Sequence, residues 1–399
     1  MLGDSMFTRK INLTTVVIQF NFKRYSVRDF RKDYTLTENI YYKEWFKDKN
    51  IPTEIREDVK LAQFYELVFK REIYQRVRTG ERLNISYRQF KKISTKLLAE
   101  FIFYVLRQSE FKRVIEGRDT IIVKVSVMEG TEEGTYAEMV NEDSDFQRIS
   151  LDVSGAWLLG RICLPWMFLK KIDSAFLLKT ISHELEHYIE LTRGIYQKEY
   201  AAIQKISKFM KVNPKKIGAL PVVYEILCNL YTEGIAVFQE KRYARYIKFD
   251  LDKIELIKRE VEAISVMKDK RRAQERYERV FPDSEGGEYY LGFMMCFFIG
   301  LSLAQKENAT LSILAPRKET ISYTKLNSYI LEDRNFVIAQ LSPEIFVKTY
   351  TKLSSITTFQ KFVNVYLQSC RELGLGRLVQ FIDKPWITKI IKNTKRARK

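Results

Sequence analysis

Histidine is almost missing from this chain: 399 residues carry only two. Glycine (16) and proline (8) are also scarce, which argues against an all-β fold of many tight turns and for long helices. The four cysteines, Cys163, Cys228, Cys296 and Cys370, form no C-x-x-C pair. Neither a disulfide framework nor a thiolate zinc site is expected from them, and they read as small core residues in a reducing compartment. No uncharged run reaches the length of a bilayer-spanning helix, and the longest, 289–305, reads as a buried core helix. The short apolar run 14–20 is not followed by a small-residue cleavage site. A cytoplasmic protein without a transmembrane segment is therefore expected.

Negative charge is in deficit as well, 50 Asp and Glu against 68 Lys and Arg, for a net charge of +18. That excess permits weak, nonspecific contact with polyanions, most of all through the basic tail "KPWITKIIKNTKRARK" (384–399). No zinc finger, glycine-rich phosphate loop or RNA-recognition aromatic motif accompanies it, so a dedicated nucleic-acid binder is not expected. With 46% hydrophobic and 30% charged residues the chain has the composition of a folded protein large enough for more than one domain.

Residues 11–20 are β-branched and read as a strand, 30–52 as an irregular aromatic stretch. A helix capped by Thr53 follows, running to about Arg78 and stopped by Gly80. Ser86 and Gln89 form a capping box for the next, in which Phe90, Ile93, Leu97, Phe101 and Leu106 recur at helical spacing. "DTIIVKVSVMEG", "GTYAEMVNE" and "FQRISLDVSG" predict a small sheet between 119 and 155. Beyond it the pattern is helical. One helix runs from an Asp173 cap to Gly194, another covers 198–211, and one opens at Pro221. A single long charged helix spans 250–280, and Ser342-Pro343-Glu344 starts a further one. The expected fold is α+β and predominantly helical. Three regions are expected: a helical one (1–115), a domain with a small mixed sheet and an active-site helix (116–310), and a helical C-terminal one with the basic tail (311–399).

Both histidines lie in "TISHELEHYI" (180–189). Four residues apart on a helix, two imidazoles stand one above the other on one face, and imidazole is the commonest metal-ligating side chain. His183-Glu184-Leu185-Glu186-His187 reads as H-E-x-x-H, two zinc ligands with the adjacent Glu184 as general base. Leu178, Ile181, Leu185 and Tyr188 fall on the opposite side of that helix, as a core stripe should. Glu186 and Glu190 read as solvated carboxylates or as groups orienting an imidazole N–H. A hydrolytic zinc site takes three protein ligands and leaves one position for water. With no third histidine, the remaining ligand must come from a carboxylate or a cysteine. Glu233 in "LYTEGIAVF" fits best, since Gly234 and Ala236 let its helix approach the histidine helix closely; Glu225 and Glu240, on roughly the same side, are its rivals. The same donors would accept cobalt or manganese, with zinc preferred on softness and availability.

These residues resemble the gluzincin branch of the zincin metallopeptidases, in which a glutamate on a downstream helix completes the zinc site. Similar families read E-G-x-A at that glutamate, as Glu233-Gly234-Ile235-Ala236 does, and open a later helix with a tyrosine-glycine pair, as Tyr289-Tyr290-Leu291-Gly292 could. The resemblance covers about 120–305, and at Val237 the chain lacks the acidic residue that thermolysin-like members carry there. It implies a zincin-like catalytic domain hydrolysing a peptide or protein substrate, with Tyr289 or Tyr290 hydrogen-bonding the oxyanion. It also implies an extended substrate on a sheet edge within 134–142 or 147–153. The alternative from another class is a zincin-like binding module, its basic surface engaging nucleic acid or an acidic partner and its catalysis lost. An intact Glu184 argues against that alternative, because a binding scaffold needs no base there.

Overall fold

The structure, a computed structural model, describes residues 6–35, 85–108, 111–112, 115–129, 137–140, 148–163, 174–193, 195, 219–244, 246–281, 287–375, 383 and 385–390. The expected helices at 53–78 and 198–211, the Asp173 cap, Gly194 and most of the basic tail lie outside the described residues. The chain forms two compact units, Met1–Tyr188 and Ile189–Lys399. The described residues are mostly helical with small sheets, an α+β architecture.

The first unit is built on a five-stranded mixed sheet, ordered β1 (Met6–Ile11), β2 (Thr14–Arg24), β3 (Thr120–Met128), β5 (Arg148–Ser154), β4 (Ala137–Val140). β1 and β2 form a hairpin, with Asn12 taking a positive φ of 55° in the turn, a conformation asparagine tolerates better than most side chains. β3 lies parallel to both β2 and β5, and β4 closes one edge antiparallel to β5. Register puts Val16 and Ile18 of β2, Ile121, Val123 and Val125 of β3, and Ile149 and Leu151 of β5 on one face, and all are buried. The alternation read from "DTIIVKVSVMEG" is realised residue by residue along β3.

Helix α1 (Tyr87–Leu106) covers that face. The Arg9 guanidinium on β1 pairs with the Glu100 carboxylate and stacks 4.7 Å over the Phe103 ring, while Phe22 of β2 meets Phe90 edge to face. Phe90, Leu97, Phe101 and Leu106 are buried as their spacing predicts, with Ile93 only half-buried. The capping box forms: the Gln89 N–H donates to Ser86 Oγ at 3.2 Å and the Ser86 N–H to Gln89 Oε1 at 2.8 Å. Ser86→Ala is expected to lower stability by about 1 kcal/mol, the usual value of such a cap, read as a shifted urea midpoint with unchanged slope. The stretch expected to be irregular from residue 30 instead begins helical, over 27–35.

Helix α2 (Ser174–Thr192) carries the H-E-x-x-H segment, and the division between the units falls inside it. In the first unit, Arg118, just before β3, donates to the Tyr188 hydroxyl at 3.1 Å, and Arg161 stacks 4.5 Å over Phe176.

The core of the second unit holds α3 (Leu220–Glu240) and α6 (Gly287–Lys306). α6 is long and apolar enough to cross a membrane, and 83% of its most apolar window is buried inside the protein, as expected of a core helix. The charged stretch 250–280 is two helices, α4 (Leu251–Ser265) and α5 (Lys270–Val280). The Asp269 carboxylate accepts from the Arg272 N–H at 3.1 Å, capping a new helix where a single one was expected.

A further correction concerns strands. Beyond β5 helix alone was expected, yet the second unit has a four-stranded antiparallel sheet ordered β6 (Tyr246–Asp250), β9 (Asn335–Ala339), β7 (Leu311–Ala315), β8 (Glu319–Ile321). Its strands are three to five residues long, too short for alternation to stand out in the sequence. Packing decides them: Phe249 of β6 stacks on Phe336 of β9 at 4.7 Å and meets Phe298 of α6 edge to face. The sheet is followed in the chain by α8 (Pro343–Ser354), capped by Ser342 as expected, with α7 (Leu326–Glu332) before β9 and α9 (Phe359–Glu372) after α8.

Candidate metal centre

α2 carries four leucines and three glutamates, good helix formers, and has no glycine or proline. Its apolar side is buried through Leu177, Ile181, Leu185 and Tyr188, with Leu178 half-buried. On the other side His183, Glu186, His187 and Glu190 recur at i, i+3, i+4 and i+7, a single polar stripe. The two imidazoles are each 9% exposed, with ring centroids 5.0 Å apart and planes at 85°. Glu184 sits at the rim of the stripe and is half-buried. The reading of Glu186 and Glu190 as solvated carboxylates does not hold, since both are fully buried. Their repeat, each three residues after a histidine, suits the role of orienting imidazoles instead.

Glu233 joins the histidines. One ligand atom from each of His183, His187 and Glu233 lies within 4.8 Å of the others, and among the described residues no other such group of three forms. Its rivals are placed elsewhere: the Glu240 carboxylate pairs with Lys241 at 3.4 Å, and Glu225 has its carboxyl pushed up by burial, with Lys270 lowering it and Glu278 raising it. Two imidazole nitrogens and one carboxylate oxygen are the donor set of an open, hydrolytic zinc site. Donors bound at about 2.0–2.1 Å in a tetrahedron would stand about 3.3 Å apart, against at most 4.8 Å between the donors here.

Gly234 packs against α6: a Cβ built on Gly234 would lie 2.6 Å from the Gly292 carbonyl carbon, and one on Gly292 2.1 Å from the Leu230 carbonyl oxygen. The Tyr-Tyr-Leu-Gly segment thus brings α6 into backbone contact with the helix carrying the carboxylate. Glu288 and Tyr289, four and three residues before Gly292, lie on the same face of α6 as that contact. Tyr290 does not: its hydroxyl accepts from the Asp250 N–H at 2.8 Å and donates to the Lys248 carbonyl at 3.2 Å, tying α6 to β6. Of the two tyrosines proposed for the oxyanion, Tyr290 is therefore occupied structurally, and Tyr289 is half-buried.

A polar network next to Glu233 was not foreseen. Glu288, nearly fully buried in the first turn of α6, accepts hydrogen bonds at Oε1 from the Tyr277 hydroxyl of α5 and from Asn229 Nδ2 of α3, the latter at 3.3 Å. Asn229 also reaches the Tyr277 hydroxyl at 3.3 Å. Asn229 stands one turn before Glu233 on the same face of α3, a spacing legible in the sequence. Glu288 was missed because the apolar run read as this helix starts only at Tyr289.

No family model, no curated protein and no solved structure matches this chain.

Proposed function

We propose that the chain is a zinc-dependent metallopeptidase with a zincin-like catalytic region of the gluzincin type, acting on peptide or protein segments in the cytoplasm. The observation that carries this reading is that Glu233, 50 and 46 residues after His183 and His187 in sequence, brings a ligand atom within 4.8 Å of theirs. Zinc held there would supply a Lewis acid for the scissile carbonyl and lower the pKa of bound water to about 7. Glu184, next in the chain to His183 and at the rim of the stripe, takes the water's proton and returns it to the leaving amine. Tyr289 donates a hydrogen bond to the oxygen on which charge develops. Glu186 and Glu190, buried along the same face of α2, hold the imidazoles in orientation. β4, an edge strand among the described residues, offers its unpaired backbone groups to an extended substrate.

The test is elemental mass spectrometry of untagged protein beside His187→Ala. One zinc per chain in the parent and none in the variant is the expected result. A parent that takes up no zinc after dialysis against it, or a variant that keeps its zinc, overturns the reading.

A further inference from the structure

Glu288 is the least expected side chain near the ligand helix. A carboxylate in the first turn of a helix is favoured by the helix dipole, but such residues usually keep their charge in water, whereas Glu288 is 1% exposed. One of its oxygens, Oε1, is clamped by Tyr277 and Asn229. The other, Oε2, is equally buried and has no hydrogen-bond partner among the described residues. The clamp is anchored on α3 at Asn229, one helical turn before Glu233, and the backbones of α3 and α6 meet at Gly234 and Gly292. Glu288 is thus tied through Asn229 to the turn of α3 that precedes Glu233; burial pushes its carboxyl up and the charge of Glu233 adds a smaller push, against the lowering by Tyr277 and Asn229.

A buried carboxylate that neighbours another is costly unless a cation compensates both. Two neutral imidazoles and one carboxylate around a divalent ion leave a net charge of +1, which favours buried carboxylates nearby, Glu288 as well as Glu186 and Glu190. We propose that Glu288 is a positioning residue for the metal site, a buried counter-charge clamped by Tyr277 and Asn229 that acts through Glu233 to raise the site's affinity for a divalent cation. The inference rests on the metal reading of His183, His187 and Glu233. It adds to that reading a residue that touches neither metal nor substrate.

The experiment uses metal-stripped full-length protein titrated with Zn2+ against a chelating dye, for the parent, Glu288→Gln and Tyr277→Phe. Thermal unfolding of the metal-free proteins and the visible spectrum of the Co2+ forms are recorded beside it. Glu288→Gln keeps the shape and loses the charge. It is expected to bind one zinc with an affinity reduced at least about tenfold, to shift the Co2+ bands, and to unfold at the parent's temperature or above. Tyr277→Phe keeps the carboxylate but frees it, and a loss of about threefold is expected; it decides the matter should the glutamine variant fail to fold. A parent that binds zinc with both variants binding equally tightly overturns this inference alone. So does a fall in metal-free stability with zinc affinity unchanged, the mark of a merely structural residue. A parent that binds no zinc overturns the metal reading and this inference with it.

Discussion

Glu184→Gln is expected to leave zinc content at one per chain while lowering peptide hydrolysis on the order of 10³-fold, the middle of the range for removing a general base. The amide has the size of the carboxylate, so α2 keeps its packing; what is lost is the ability to accept a proton from water. The position argues for this separation of binding from chemistry. Glu184 adjoins His183 in sequence and is half-buried, outside the stripe of His183, Glu186, His187 and Glu190. His183→Ala, by contrast, should lose both metal and activity. The measurement is turnover of a quenched fluorescent peptide pool by protein whose zinc content has been determined in the same preparation. Undiminished hydrolysis by a zinc-loaded glutamine variant would remove Glu184 from the mechanism and require another base for the metal-bound water.

The parts of this molecule that could be read from sequence are those decided within a few residues. The capping box of Ser86 and Gln89, the alternation along β3 and the start of α8 at Pro343 all follow from local preferences, and all are present. The i, i+4 spacing of the histidines is of the same kind. Pairing Glu233 rather than Glu225 or Glu240 with them needed more, because all three stand on one helix at helical spacing and only tertiary placement separates them. The strands β6 to β9 were illegible for the opposite reason: each is short, and their identity comes from Phe249, Phe298 and Phe336 meeting in space. The role of Gly234 was half legible. A small residue beside a ligand does announce a close helix contact, yet the sequence does not name the partner helix, and the partner is α6.

That contact carries the other large effect. Gly292→Ala is expected to lower stability by at least about 3 kcal/mol, the upper part of the range for overpacking, which in a unit of this size shifts the melting temperature by about 10 °C. The added methyl would stand 2.1 Å from the Leu230 carbonyl oxygen and 2.9 Å from the Gly234 Cα. Both are backbone atoms within α3, so no rotamer change relieves the clash and the helices must separate. Gly300→Ala on the same helix is the control. Its methyl would meet Leu341 Cδ1 at 2.6 Å and Thr349 Oγ1 at 3.0 Å, side-chain atoms that can move, so its cost should be a fraction of the other. The two variants should differ most in zinc affinity, measured by competition with a chelator. Separating α3 from α6 displaces Glu233, the residue next to Gly234, whereas a methyl near Leu341 leaves α3 where it is. Equal melting temperatures and equal affinities for the two would mean that α3 and α6 have slack between them, and the glycine pair would then not be what holds Glu233 in place.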